Sequence, residues 1–314
     1  MNPGMQEDAQ EFLLRLFEKI GDDLDSDENP ANIFAGELTH YIICKTVNVT
    51  KERKEMFYDM SIDVADSCDV QEAMDKLFTP DILEGDNQYK TKDHGLQDAL
   101  KGQSISRLPK VLYIHLKRFE YDIETGNMRK ISKAVNFPMN LDLNRYVDVN
   151  MKNDIALKEN PMFNHSNYEL NAIILHHGNG NMGHYTCFAR PYDAQHCDIW
   201  HRLNDEIFSE VDIDTMIKES VGGNCEIRQN ADDFSKNAYI LQYIRRENTT
   251  KLSSSVQFLP ESLGYVRSKG SLKSTTKLHK EAKVTTRISR NFVAAGLALH
   301  YWKKTVYKEA MRNR

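Results

Sequence analysis

The sequence has little cysteine and no cysteine pattern. Its five cysteines (Cys44, Cys68, Cys187, Cys197 and Cys225) are scattered, odd in number and contain no CxxC pair. That argues against a disulfide framework and against a thiolate zinc site, and it suits a reducing compartment inside the cell, nucleus or cytoplasm. A long apolar run is also missing. The longest, Phe292–Trp302, is interrupted by His300 and falls short of the roughly 20 residues a membrane-spanning helix needs. The first residues, MNPGMQEDAQEF, have neither the basic nor the apolar stretch of a secretory leader, so none is expected there. No internal repeat is visible. What remains is a composition suited to a packed core. The chain has 314 residues, 40% hydrophobic and 9% aromatic, which excludes a disordered or collagen-like chain and leaves one large domain or two small ones.

The formal net charge of -5 conceals an asymmetry. Residues 247–314 hold 14 Lys/Arg against 4 Asp/Glu, leaving 27 against 42 in residues 1–246. An acidic body favours a basic partner and repels nucleic-acid phosphate. The basic tail suits a solvated linker, or a contact with a membrane surface or nucleic acid. Residues 248–290 are dense in Ser, Thr and Lys, which places a domain boundary near 246–250. Arg287–Ala310 reads as a basic amphipathic helix, only loosely like an interfacial or calmodulin-target helix.

Within the body, Ala9, Phe12, Leu13, Leu16, Phe17 and Ile20 follow helical spacing and form an apolar face that needs a partner surface. Strands are expected at Phe34–Leu38, Tyr41–Lys45, Glu55–Val64, Tyr168–Leu175, His184–Ala189 and Ala238–Ile244. Val111–Leu116 is continuously apolar, as a strand buried on both faces would be. Asp69-Val-Gln-Glu72 is a capping-box pattern for a short helix that Pro80 ends. Val211–Lys218 reads as a second short helix. Asn140–Glu159 and Gln195–Cys197 read as polar loops.

Three segments carry candidate chemistry. Gly178–Tyr185 places three glycines in six residues directly before His184, a loop able to approach a ligand closely. A histidine at such a rim is placed to act as a base, although an ordinary surface or core histidine fits the same letters. Some 20 residues on, Trp200–Glu206 supplies Asn204 and Asp205. Asn or Asp on a neighbouring strand holds an imidazole in one tautomer in Cys/His/Asn and Cys/His/Asp sets; a polar hairpin end explains these residues equally well. Asp8 and Glu11 share one helical face near a helix N-terminus. The helix dipole accounts for them there, as does a grip on a basic peptide. Leu108–Phe119 by itself is a core strand with a polar exit.

Taken together, these segments resemble the catalytic domain of the ubiquitin-specific proteases. The matching boxes, in order, are Gln6-Glu-Asp-Ala-Gln-Glu-Phe12, Leu108-Pro-Lys-Val-Leu112 with Leu116-Lys-Arg-Phe119, and Tyr168-Glu-Leu-Asn-Ala172. Gly183-His-Tyr185, Trp200 with Leu203-Asn-Asp-Glu206, and Asn237-Ala-Tyr-Ile-Leu241 with Tyr243 follow. Gly85-Asp-Asn-Gln-Tyr89 and His94-Gly-Leu-Gln97 look most like the branch containing the herpesvirus-associated ubiquitin-specific protease. The resemblance implies an α+β fold, a papain-like cysteine protease hand with a partial thumb, β palm and β fingers over residues 1–246, followed by the basic tail 247–314. It implies hydrolysis of the isopeptide bond at the ubiquitin C-terminus, with ubiquitin and ubiquitylated proteins as partners. His184 would be the general base, Asn204 its orienting partner and Asp205 a supporting group. Asp8 and Glu11 would hold the arginine-bearing tail of ubiquitin, and Phe119 and Tyr185 would line its channel.

The resemblance also implies gaps. The family's finger cysteines are reduced to Cys44-Lys-Thr-Val47 and Tyr89-Lys-Thr-Lys92, so no zinc and no other cofactor is expected. The family's nucleophilic cysteine belongs before the Gln6–Phe12 box, and none of the five cysteines has that setting. The expectation is an N-terminally truncated chain, unable to cleave and at best a ubiquitin-binding module. The helix face at Phe12 and Leu16 is expected to lack its cover and to make the chain poorly soluble.

Overall fold

A computed structural model describes residues 8–22, 30–124, 126–148, 166–180, 182–190, 199–223, 235–246, 265–268 and 271–274. Its helices are α1 (Ala9–Asp22), α2 (Val70–Phe78) and α3 (Ile213–Val221). The strands begin with β1 (Gly36–Cys44), β2 (Thr50–Phe57), β3 (Met60–Asp63), β4 (Asp81–Leu83), β5 (Tyr89–Lys90), β6 (Leu96–Gln97), β7 (Ala99–Arg107), β8 (Val111–Lys117) and β9 (Phe119–Asp122). They continue with β10 (Asn127–Lys130), β11 (Asn140–Asp142), β12 (Asn167–Gly178), β13 (Gly183–Ala189), β14 (Trp200–Asn204), β15 (Ile207–Val211), β16 (Ser235–Arg245), β17 (Tyr265–Ser268) and β18 (Ser271–Ser274). The class is α+β, mostly sheet.

One large sheet runs β17-β18-β15-β14-β13-β12-β16-β8-β3, with β11 also paired to β12. Among the described strands, β3 and β8 are the one pair that runs parallel. A second, four-stranded sheet has the order β2-β1-β7-β4. The large sheet is buried on both faces at its centre, and β8 shows why. Leu112, Ile114 and Leu116 join the cluster that includes Val70, Ala73 and Met74 of α2 and Met216 of α3. Val111 and Tyr113 face the other way, toward Ala9, Leu13 and Phe17 of α1. Alternate residues of a strand point to opposite faces, so a strand clad on both sides must be apolar throughout.

The helices start where side chains satisfy their first N–H groups. Asp69 caps α2 by accepting from the Glu72 N–H at 2.8 Å, while Glu72 accepts from the Cys68 N–H at 2.9 Å. Asp212 caps α3 by accepting from the Thr215 N–H at 2.8 Å. On α1, Ala9, Leu13 and Phe17 are buried, whereas Phe12 and Leu16 are only partly covered. Phe17 stacks on Phe34 with centroids 4.5 Å apart, and Phe34 on Tyr113 at 5.4 Å. The helix therefore has a partner surface for its Ala9, Leu13 and Phe17 face, while the face at Phe12 and Leu16, expected to lack its cover, is partly exposed.

Other expectations also change. Phe34–Leu38 and Tyr41–Lys45 merge into the single strand β1, because β2 and β7 pair along its whole length. Glu55–Val64 divides at Tyr58 and Asp59 into β2 and β3, which belong to different sheets. The span expected as a loop from Asn140 holds β11; its later part, Gln195–Cys197 and the helix expected at Arg287–Ala310 lie outside the described residues. The tail read as a linker contributes the β17–β18 hairpin, joined to β15 by the pair Phe208↔Leu272. Cys68 is disulfide-bonded, while Cys44 and Cys187 are free and buried.

Candidate active site

His184 lies at the start of β13, where two glycines make the approach possible. Gly178 has φ +138, and a Cβ there would meet the Met182 carbonyl oxygen at 2.2 Å. A Cβ on Gly183 would lie 2.0 Å from His176 Nε2. The glycines thus let the β12–β13 turn fold tightly against its own strand before presenting His184.

The β14–β15 hairpin closes on the same histidine. Asn204 ends β14 and pairs with Ile207, leaving Asp205 and Glu206 in a two-residue turn. Asp205 has φ 51, a left-handed conformation that costs a non-glycine residue about 1 kcal/mol or more. Asn204 Oδ1 lies 2.6 Å from His184 Nε2, and Asp205 Oδ2 lies 3.5 Å from the same nitrogen. The orienting pair expected from the sequence is therefore brought together, with Asp205 beside it.

Asp8, Glu11, Phe119 and Tyr185 line one groove of about 530 Å³, and Gly183, the neighbour of His184, lies along it. Asp8 sits between helix and sheet. Its Oδ1 accepts from the N–H groups of Gln10 (2.8 Å) and Glu11 (3.1 Å), which caps α1. Its Oδ2 accepts from the hydroxyls of Tyr239 (2.6 Å) and Tyr185 (3.3 Å). Burial and the Asp8 carboxylate raise the pKa of both tyrosines, so they remain hydroxyl donors. Glu11 points outward and pairs with Arg15 at 2.5 Å.

Sequence reasoning missed His115, His176 and Tyr239 as lining groups. Phe119 meets the edge of His176 with centroids 5.0 Å apart, and His176 meets Tyr185 at the same distance. Burial, helped by the nearby charges of Lys130, His177 and His184, drives the His176 pKa down to about 3. His176 directly follows the apolar run Ala172–Leu175, which disguised it. The usable signal was the fit between two boxes, since Tyr239 and His176 come from strands that pair.

The described cysteines do not supply an activated thiol beside His184. Cys44 is buried in the four-stranded sheet and Cys68 is disulfide-bonded. Cys187 packs with Ala172, Ala189 and Leu203, and burial pushes its pKa up to about 12. It is three residues along β13 from His184, so the alternation of the strand turns the two side chains to opposite faces. Among the described residues, no group of three or more His, Cys, Asp or Glu is placed to hold a metal ion.

The family model described as ubiquitin carboxyl-terminal hydrolase matches residues 1–243. Ubiquitin C-terminal hydrolase 13 of Arabidopsis thaliana is 34% identical over 264 residues, covering 80% of this chain and 23% of that protein. Ubiquitin carboxyl-terminal hydrolase 7 of Drosophila melanogaster is 32% identical over 253 residues, covering 79% of this chain and 21% of that protein. The chain thus spans less than a quarter of the length of these relatives. Among solved structures, the SAGA DUB module bound to monoubiquitin superposes with a TM-score of 0.59 at 26% identity, covering 77% of this chain and 49% of that one.

Proposed function

Because the chain belongs to the ubiquitin carboxyl-terminal hydrolase family, we propose that it holds the C-terminal tail of ubiquitin in the groove below His184 and carries the base and orienting residue of a thiol-dependent isopeptide hydrolase. The observation that carries this reading is the 2.6 Å contact of His184 Nε2 with Asn204 Oδ1, with His184 standing between Gly183 and Tyr185, two residues that line the groove. A carbonyl oxygen only accepts, so the neutral ring carries its proton on Nε2 and its lone pair on Nδ1. Nδ1 then takes the proton of a cysteine thiol, and the thiolate attacks the carbonyl of the terminal glycine of ubiquitin. When the oxyanion collapses to an acyl-enzyme, the imidazolium protonates the departing lysine amine. Water, deprotonated by the same ring, completes the hydrolysis. Phe119, His176, Tyr185 and Tyr239 crowd the groove, which favours glycines at the end of the tail. Asp8 and Glu11 contribute the negative charge that meets its arginines.

The placements of the described cysteines, Cys44, Cys68 and Cys187, support a further element of the reading: this chain by itself binds ubiquitin and does not cleave it. Gly85–Tyr89 and His94–Gln97 support a place in the branch of the herpesvirus-associated enzyme. Titration of the chain with ubiquitin and with ubiquitin lacking its terminal Gly-Gly tests binding. Equal affinity for both would sink the groove assignment. Release of a ubiquitin C-terminal reporter above the level of His184→Ala would overturn the inactivity.

A further inference from the structure

Two cations lie inside the molecule with only backbone carbonyls among their hydrogen-bond partners. Arg118 is fully buried; its Nε donates to Ala238 O at 2.6 Å, and its Nη1 to Ile131 O and Lys133 O at 2.8 and 3.0 Å. Lys130, the last residue of β10, is also buried. Its Nζ donates to His176 O (2.9 Å), Gly178 O (3.3 Å) and Ser235 O (2.8 Å). An ammonium has three donors, and here each finds a carbonyl.

Those carbonyls mark a junction. Gly178 ends β12 and is paired with Gly183 on one side and Ser235 on the other. His177, between two of the carbonyls that Lys130 holds, lies directly across from His184. The chain leaves this point into the turn that delivers His184 to Asn204. Arg118 anchors the neighbouring stretch of β16 and the segment that follows β10, so Lys130 itself stands on a fixed base.

Reading His184 as the base, we propose that Lys130 is a positioning residue whose ammonium fixes the root of the β12–β13 turn and, through it, the angle at which the His184 ring meets Asn204. A neutral donor would satisfy a carbonyl with less desolvation. Burial, with Arg118 beside it, lowers the Lys130 pKa to about 7, while three carbonyl acceptors around Nζ favour the charged form. What a cation adds is a single point that pulls three carbonyls from two strands together, a geometric role beyond satisfying them.

The test compares Lys130→Met, which keeps the length and removes the donors, with Lys130→Arg, which keeps charge and donors. Met74→Ala, on the buried face of α2, serves as a control for lost stability. Nitrogen-15 NMR of the His184 ring is recorded at a temperature where each variant is fully folded. We expect the hydrogen-bonded Nε2–H signal to be lost in Lys130→Met and kept in Lys130→Arg and Met74→Ala. A folded Lys130→Met protein with the native ring signal would overturn the proposal. If Lys130→Met does not fold, Lys130→Leu, which also removes the donors, replaces it, and the same signal decides. The ring signal needs no ubiquitin, so a failure of tail binding and a failure of this inference are read separately.

Discussion

His176 and His177 show how closely the site's residues are tied to the fold's proton balance. Burial lowers their pKa values from 6.5 to about 3 and about 4. The unfolded chain therefore binds more protons than the folded one below 6.5, and stability falls as the pH drops toward the folded values. Above 6.5 the contribution is fully present. The melting temperature is expected to fall steadily as the pH is lowered from 6.5 to 4, and His176→Gln should flatten that slope. A slope unchanged by the substitution would assign the acid sensitivity to other groups. Asp8 supports a second prediction. It caps α1 and accepts two tyrosine hydroxyls, so Asp8→Ala loses a cap worth about 1 kcal/mol and leaves buried hydroxyls short of an acceptor. Thermal unfolding should show a loss beyond the cap alone, and ubiquitin binding should weaken with it. Asp8→Asn keeps an acceptor and should recover part of the stability.

At the scale of elements, α1 holds the groove against the sheet. Phe17 is 2% exposed and touches the rings of Phe34, Tyr58 and Tyr113. Phe17→Ala should cost about 3–5 kcal/mol, measured by denaturant unfolding; a cost under about 1 kcal/mol would mean that α1 does not pack as described. How far elements were legible in the sequence depended on how local their cause was. The capping pattern at Asp69 and the apolar run of β8 are local, and both appear as read. The cover of α1 is not local. Its partners, Phe34, Val111 and Tyr239 among them, are far away in sequence, and nothing in the helix states that they meet. The strand β7 escaped because Ala99–Arg107 alternates poorly and contains Gly102; pairing with β1 and β4 holds it in place. For the site, His184, Asn204 and Asp205 were legible as types, but their meeting depended on a hairpin turn whose strained residue, Asp205, no periodicity reveals.

Charge acts at the scale of the whole molecule. The body, residues 1–246, carries 42 acidic against 27 basic residues, and the tail 14 basic against 4 acidic. If the groove takes an arginine-bearing tail, long-range attraction comes from the body and short-range contacts come from Asp8 and Glu11. The basic segment 247–314 opposes that attraction, and through β18 it is joined to β15, the strand that follows Asn204 and Asp205 in the hairpin. Salt screens the long-range part first. Ubiquitin affinity should therefore fall as NaCl is raised from about 50 mM to about 300 mM, where the Debye length shrinks from roughly 14 Å to about 6 Å. The loss should appear mainly as slower association, since steering acts on encounter more than on the lifetime of the complex. Glu11→Gln, which removes a short-range contact, should instead speed dissociation and leave most of the salt dependence of association in place. An affinity indifferent to salt would mean that the groove's apolar walls carry the binding and that the acidic body takes no part in it.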